Sequence, residues 1–442
     1  MHTLGSLFLA ALLVAAVSGQ TSRPKDVAAE VDAVYAQSES LYRDLHRAPE
    51  LSGHEQKTAE TLAAGLKSLG FEVATGVGRT GVVGVLKNGA GPTVLLRTEL
   101  DALPVEEKTG LEFASTVRTK NDDGVEVGAM HACGHDLHMA SWMGTARIMA
   151  GARDRWAGTL VLIGQPAEET LRGAQWMIED GLLTRFPKPD FALAVHDDAR
   201  YPSGLIGFHA GPILSNSDAL RITIFGSGGH GARPETTIDP VVIAARTVLA
   251  LQTIVSREIS PFDSAVITVG SIHAGTKGNV IPAEARLELT VRSLTAAVRA
   301  HLLSAIDRIV KAEAAAANAP KPPAIERLET TDALVNDPAL TKRVSEALLK
   351  ALGPERVKDL APEMASEDFA RFPGAGIPSL MLRVGAVEPS AYDAAQKSGS
   401  PLISLHSPFF APDRERTIKA AVTAEVLSLR ELMPVAAGTR SR

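Results

Sequence analysis

The sequence has 442 residues, of which 45% are apolar and 22% are charged, a composition typical of globular proteins with a sizeable core. This length is greater than that of one ordinary domain and predicts two or three domains. The net charge at pH 7 is −6, because acidic residues outnumber Lys and Arg. The chain therefore lacks the basic character typical of nucleic-acid-binding proteins, and we predict no nucleic-acid partner.

The amino-terminal segment differs from the rest of the chain. Residues 4–17 are apolar apart from Gly5 and Ser6, and the small residues at 16 and 18 have the spacing of a cleavage site. We therefore expect a signal peptide at residues 1–19 and a secreted or periplasmic protein, with an uncleaved anchor as the alternative. The only cysteine, Cys133, cannot form an internal disulfide, so its thiol is expected to be either buried and inert or engaged in chemistry.

The first half of the chain alternates helical and strand patterns. Helical periodicity covers residues 27–45, 55–69, 135–149 and about 171–181, and apolar runs at 82–86, 94–97, 160–163 and 191–195 predict strands. This alternation predicts an α/β catalytic domain at 27–212, with a mixed sheet flanked by helices. Ligands bind beyond the carboxyl ends of strands in such sheets, and the polar residues that follow these strands are Glu99, Asp101, Glu168, Glu169 and His196.

The pattern changes after residue 211. Strands at 220–225, 265–269 and 285–291 and helices at 239–256 and 296–317 predict an inserted α+β domain of ferredoxin-like type at 213–327. A helix at 340–352, a strand at 379–384 and a closing helix from about residue 413 then return to the catalytic domain. Its second part is expected at 328–436.

The segment 130–138, Met-His-Ala-Cys-Gly-His-Asp-Leu-His, carries the densest group of possible metal ligands. Thiolate and imidazole bind zinc-like ions well, and the spacing of Cys133 and His135 places both on one turn. Gly134 allows the backbone to approach closely, and Asp136 could orient a ligand imidazole. A surface histidine cluster beside a buried cysteine is the alternative interpretation of this segment taken alone.

The paired glutamates of Gln-Pro-Ala-Glu-Glu, at 165–169, form the second cluster. Adjacent carboxylates at the end of a strand repel each other unless a cation neutralises them or one is protonated. One glutamate can therefore bind metal while the other acts as general base on a metal-activated water. His196, after a strand, and His406, in a late loop, complete five candidate ligands with Cys133, His135 and Glu169, which is enough for two ions.

Several motifs together resemble the metallopeptidase family of hippurate hydrolases, aminoacylases and indole-acetyl-amino-acid amidohydrolases, in its amidohydrolase branch. The motifs occur at 45–52, 101–104, 130–138, 165–169, 228–232, 279–282, 366–369 and 405–408. They read, in this order, LHRAPELS, DALP, MHACGHDLH, QPAEE, GGHGA, NVIP, SEDF and LHSP. The resemblance implies a hydrolase of the amide bond of N-acyl amino acids or related small amides.

The resemblance also implies roles for individual residues. Two divalent ions are expected per subunit, with Zn²⁺ as the expected metal and Mn²⁺ or Co²⁺ also compatible with the ligands. The matching metal ligands are Cys133, His135, Glu169, His196 and His406. Glu168 matches the general base, His230 the histidine that polarises the scissile carbonyl from a partner subunit, and Asn279 and Arg292 the residues that hold the substrate carboxylate. Asp101 and Asp136 are expected behind the ligands, and the inserted domain is expected to be a dimerisation or lid domain of a homo-oligomer.

Two positions depart from the pattern of this branch. The chain has Glu99 where the branch usually has Asp, and the extra methylene changes the geometry behind the ligands. It has Glu235 where the branch usually has His, so the substrate preference of better-known members does not transfer directly.

Two functions of other classes remain open on the sequence alone. One is a metal-independent cysteine hydrolase, with Cys133 as nucleophile and His135 or another histidine as base. The other is a catalytically silent homologue that binds metal or ligand, although such a protein has no chemical reason to keep Glu168. Hydrolysis measured with chelator, and again after metal is added back, distinguishes the three possibilities.

Overall fold

A computed structural model of the protein describes residues 24–435, so the predicted signal peptide at 1–19 lies outside the described residues. Up to residue 214 the chain forms the helices and strands α1 (Pro24–Arg47), α2 (Gln56–Ser68), β1 (Glu72–Val77), β2 (Gly81–Asn88), β3 (Thr93–Glu99), β4 (Arg118–Lys120), β5 (Glu126–Gly128), α3 (His135–Gly151), β6 (Gly158–Gln165), α4 (Gly173–Glu179), α5 (Leu182–Arg185), β7 (Phe191–Pro202), β8 (Ile206–Phe208) and β9 (Gly211–Leu214).

The following segment forms a separate sheet with two long helices. Its elements are β10 (Asn216–Phe225), β11 (Gly229–His230), α6 (Pro240–Thr253), β12 (Ala265–Ala274), β13 (Val280–Ile281), β14 (Glu284–Ser293), α7 (Ala296–Ala316) and β15 (Ala324–Thr331). The chain then continues through β16 (Leu334–Asn336), α8 (Pro338–Leu352), β17 (Val357–Asp359), α9 (Arg371–Gly374), β18 (Ser379–Val387), α10 (Pro389–Ser398) and α11 (Arg414–Leu432).

The main sheet has eight strands in the order β1-β2-β6-β3-β7-β18-β8-β17. Strands β6, β3, β7 and β18 at its centre are parallel, and they contain the predicted strands at 160–163, 94–97, 191–195 and 379–384. Because helices cover both faces, these strands are apolar on both faces. Leu96 belongs to the core under α1, α3 and α11, whereas its neighbour Leu95 belongs to the opposite core with Phe369. The predicted α/β class is confirmed.

The second sheet is antiparallel, in the order β12-β14-β10-β15, with α6 and α7 packed against it. The order of elements and strands is that of a ferredoxin-like fold. The segment Pro240–Glu258, which includes α6, is apolar and long enough to cross a membrane, but Ile243 and Leu251 are buried against the sheet. This sheet runs from Asn216 to Thr331, and the preceding strand β9 pairs with β16 outside it.

Candidate metal centre

The loop before α3 brings the first two ligand candidates into position. Gly134 adopts a left-handed conformation with φ of 75°, which a residue with a Cβ adopts at a cost. A Cβ on Gly134 would lie 2.7 Å from Oδ1 of Asp197. The close approach of the loop to the β7 strand therefore requires glycine here, and it places Cys133 and His135 beside His196.

All five predicted metal ligands converge in the structure. The Sγ atom of Cys133 lies 3.2 Å from Nε2 of His406 and 3.7 Å from Nε2 of His196. One carboxylate oxygen of Glu169 is 3.5 Å from the same nitrogen of His406, and donor atoms of Cys133, His135 and Glu169 lie within 4.8 Å of one another. His406 is held by its backbone N–H, which donates to the carbonyl of Ala132 at 2.8 Å.

Hydrogen bonds on the far side of two rings orient them toward the cluster. Nδ1 of His135 donates to the carbonyl of Asp101 at 2.8 Å, and Nδ1 of His196 donates to the carbonyl of Asp197 at 2.7 Å. The second ring nitrogen, Nε2, of each histidine therefore faces the cluster, as in ligand histidines. Nε2 of His135 and one oxygen of Glu169 are buried without a hydrogen-bond partner within residues 24–435. The residues fit a zinc-like divalent ion, because the donors are thiolate, imidazole and carboxylate.

The pKa values of the acidic groups in the cluster are also those expected of a site that binds cations. Burial, followed by the nearby carboxylates Glu169 and Glu168, holds the pKa of the Cys133 thiol well above its usual range. Burial also raises the pKa of Glu169 to about 7, and burial with the carboxylate of Glu367 raises that of Glu168. Divalent cations would reverse these shifts by stabilising the anions. Without them Cys133 stays a protonated thiol, which disfavours the metal-independent cysteine hydrolase.

The two aspartates expected behind the ligands have different contacts. The Asp101 carboxylate accepts the backbone N–H groups of Glu168 at 3.1 Å and Glu169 at 3.0 Å, so it fixes the loop that carries the paired glutamates. Asp136 accepts a hydrogen bond from Nδ1 of His46 at 2.6 Å, and it orients this ring rather than a ligand imidazole. The carbonyls of Asp101 and Asp197 instead orient the imidazoles of the ligand candidates His135 and His196.

A buried arginine network next to Glu168 is not predicted by the sequence reasoning. Arg97 on β3 is 1% exposed and contacts three carboxylates, those of Glu99, Glu367 and Asp368. Oxygens of Glu367, Asp368 and Glu168 lie within 4.8 Å of one another. The Ser-Glu-Asp-Phe motif at 366–369 was a signal for this site, because adjacent acids in an apolar context need a buried cation.

The predicted substrate-binding residues lie on the segment Asn216–Thr331, which contains the second sheet and is called the inserted unit below; the rest of the described chain is the catalytic unit. His230 on β11 is exposed, and the backbone N–H of its neighbour Gly231 donates to the carbonyl of Asn279 at 2.9 Å. Arg292 on β14 lies at the junction with the catalytic unit, where it donates to the Met364 carbonyl at 2.8 Å and to the Ser366 hydroxyl at 3.1 Å. In the described part of the chain, no hydrogen bond or ion pair joins His230, Asn279 or Arg292 to the five metal-ligand candidates.

Several known proteins are similar to this chain in sequence and in fold. Thermostable carboxypeptidase 1 of Saccharolobus solfataricus is 39% identical over 337 residues, which cover 75% of this chain and 81% of that protein. The N-acetyl-L-cysteine deacetylase of Bacillus subtilis is 36% identical over 337 residues, which cover 75% of this chain and 76% of the deacetylase. The crystal structure of the Bacillus subtilis YXEP protein, a dinuclear metal-binding peptidase of family M20, matches with a TM-score of 0.73 and 28% identity, and the match covers 90% of this chain and 98% of that one.

The family assignment rests on the sequence match and on the site together. The profile of peptidase family M20/M25/M40 matches residues 95–398, a segment that contains four of the five clustered ligand candidates and the paired glutamates. The resemblance predicted from the motifs is thereby confirmed, and so is a metal-dependent hydrolase that acts on amide or peptide bonds. The chain belongs to peptidase family M20/M25/M40.

Proposed function

We propose that this enzyme hydrolyses the amide bond of N-acyl amino acids or related small amides with two divalent ions. The residues that would hold the ions are Cys133, His135, Glu169, His196 and His406. The observation that carries the proposal is the position of Glu168, a buried carboxylate 3.8 Å from Nε2 of His135 at the edge of the ligand cluster. Zn²⁺ suits this mixture of sulfur, nitrogen and oxygen donors, and Mn²⁺ or Co²⁺ is also compatible.

A side chain of the protein, Glu168, would accept and donate the proton that the reaction transfers. Bound divalent ions polarise a carbonyl oxygen and lower the pKa of water toward neutrality. Glu168 then takes the proton of the attacking water and returns it to the leaving amine, as a general base that becomes the general acid. Asp101 keeps this carboxylate in place, since it binds the backbone N–H groups of Glu168 and Glu169.

The inserted unit supports recognition of a substrate carboxylate. Arg292 is half-buried, and its guanidinium forms no ion pair within residues 24–435, so its charge is available to an acidic ligand. Asn279 and His230 are adjacent and exposed, as expected of groups that meet the substrate when this unit or a partner subunit approaches. His230 would then help to stabilise the developing oxyanion.

A homodimer is the second part of the proposal. Helix α6 and the edge strand β12 of the inserted unit carry exposed apolar side chains: Val241, Val242, Leu249, Val266 and Ile272. An edge strand beside an apolar helix face is a surface that a second copy of the chain can cover by pairing strands and packing helices. We define these five residues as the α6–β12 surface.

The test is a hydrolysis screen on the purified protein. N-acetyl, N-benzoyl and N-lauroyl amino acids and dipeptides are incubated with the native enzyme, with chelator-treated enzyme, and after Zn²⁺, Mn²⁺ or Co²⁺ is added back. We expect hydrolysis of N-acyl amino acids that chelation abolishes and added metal restores. Full activity after complete metal removal would rule out the proposed mechanism, and metal binding without hydrolysis of any substrate would favour the silent homologue.

We also propose export of the protein, on the strength of the apolar segment at 4–17. Amino-terminal sequencing of protein from the producing cell should begin near Gly19 or Gln20. Recovery of Met1 on a cytosolic, active enzyme would contradict this.

A further inference from the structure

A histidine that is not one of the five ligand candidates lies directly behind two of them. Donor atoms of Glu99, His135, His138 and His196 lie within 4.8 Å of one another. His138 is 2% exposed, and its ring centroid is 4.6 Å from that of His196 and 5.6 Å from that of His135. The ring therefore packs against both ligand imidazoles.

Both nitrogens of His138 are already engaged, so it is not free to bind metal. Nδ1 donates to an oxygen of Glu99 at 3.0 Å. Nε2 faces Asp197, whose backbone N–H is 2.8 Å away and whose Oδ1 is 3.1 Å away. Asp197 directly follows the ligand candidate His196 and also lies against Gly134 of the ligand loop. His138 thus joins the carboxyl end of β3 to the segments that carry His135 and His196.

Glu99 reaches this ring with one oxygen and the arginine network with the other. Its Oε2 atom accepts the hydrogen bond from His138, and its Oε1 atom contacts Arg97. Arg97 in turn binds Glu367 and Asp368, whose oxygens lie beside the carboxylate of Glu168. A single buried carboxylate therefore connects the surroundings of the general base with the surroundings of the ligand histidines. An aspartate at position 99 would be one methylene shorter, and its carboxylate could not keep both contacts from the same backbone position.

We propose that Glu99 is a positioning residue of the metal centre, which holds His138 against His135 and His196 while it is itself held by Arg97. The inference rests on the proposed metal centre, and it explains why this chain has glutamate at position 99. Side chains that orient metal ligands in this way typically contribute about 10–100-fold to metal affinity or activity. The same order of loss is expected when Glu99 is shortened, although the charge of the site is unchanged.

The experiment measures metal affinity rather than turnover. Metal-free wild type, Glu99→Asp, His138→Gln and the double variant are titrated with Zn²⁺ against a chromophoric chelator, and thermal unfolding of each metal-free protein reports folding. We expect Glu99→Asp and His138→Gln each to bind zinc about 10–100-fold more weakly than wild type. Because both act through one chain of contacts, the double variant should lose little more than His138→Gln alone.

A matched control separates this effect from general damage to a buried hydrogen bond. Glu107 accepts a hydrogen bond of 3.0 Å from Nε2 of His46, also in the interior, without touching a ligand candidate. Glu107→Gln should keep the zinc affinity of the wild type, even if it unfolds at a lower temperature. Wild-type zinc affinity in Glu99→Asp, or losses that simply add in the double variant, would overturn the inference. Failure of the wild type to bind zinc would instead refute the metal centre itself.

Discussion

At the scale of single residues, the two adjacent glutamates have different predicted roles. Glu168→Gln keeps the size of the side chain but cannot accept a proton, so metal content should stay at the wild-type value while turnover falls by roughly 10²–10⁴. Glu169→Gln removes a charged ligand, so metal affinity should fall together with activity. Metal content and hydrolysis rate, measured for both variants across a metal titration, test the assignment.

Excess metal provides the control for this pair. It should partly rescue Glu169→Gln, because mass action can refill a weakened site, but it should leave Glu168→Gln inactive. An active Glu168→Gln enzyme with a full complement of metal would end the general-base assignment. Rescue of that variant alone by metal would exchange the two roles.

The sequence predicts the ligand types better than the contacts behind them. Cys133 and His135 share one turn and Glu169 follows a strand, so spacing and element ends are enough to group them. Arg97 could not be connected to its partners in this way, because Glu367 and Asp368 are 270 and 271 residues further along the chain. The position of His138 beside the rings of His135 and His196 depends on side-chain packing, which sequence periodicity does not encode.

At the scale of helices and strands, the long amphipathic or apolar elements were predicted and the short or solvent-exposed ones were not. The apolar run at 160–163 identifies β6 because both faces of that strand are buried. Strands β4, β5, β8 and β17 have three residues each, too few for a periodic pattern. β15 is mostly exposed, and α10 contains no buried residue, so neither has the apolar stripe that identifies an element.

The loop that leads into α3 gives a prediction at this scale. Gly134→Ala should lower both thermal stability and metal affinity, because the new Cβ would collide with the Asp197 carboxylate in addition to the strain of a left-handed residue. Gly399→Ala is the matched control: its φ is 70° and no atom lies within 4 Å of the new Cβ, so only the left-handed cost of about 1 kcal/mol applies. Unfolding temperature and zinc affinity are measured for both. Equal losses in the two variants would show that the approach to Asp197 is unimportant.

At the scale of the whole molecule, contacts at the junction of the two units place the inserted sheet relative to the metal centre. Arg299 on α7 binds the buried Asp218 of β10 and also Asp332, just after β15. It therefore links the two places where the chain enters and leaves the inserted unit. Arg292 reaches the 364–366 segment next to Glu367. The inserted unit, which carries the predicted substrate-binding residues, is therefore tied to the catalytic unit at this junction.

The α6–β12 surface supplies the test of that assembly. Leu249 is 72% exposed on α6, and Leu249→Glu places a charge on a surface that dimerisation would bury, where an unpaired charge is costly. We expect a dimer for the wild type and a monomer for Leu249→Glu in light scattering after gel filtration, with unchanged metal content. If His230 acts from the partner subunit, hydrolysis by the wild type should fall with the fraction of dimer on dilution, and Leu249→Glu should have low activity at every concentration. Val125→Glu is the control, since Val125 is 56% exposed on the catalytic unit beside β5 and should leave assembly and activity unchanged. A wild type that is monomeric and fully active at every concentration would refute both the dimer and the role of His230 across it.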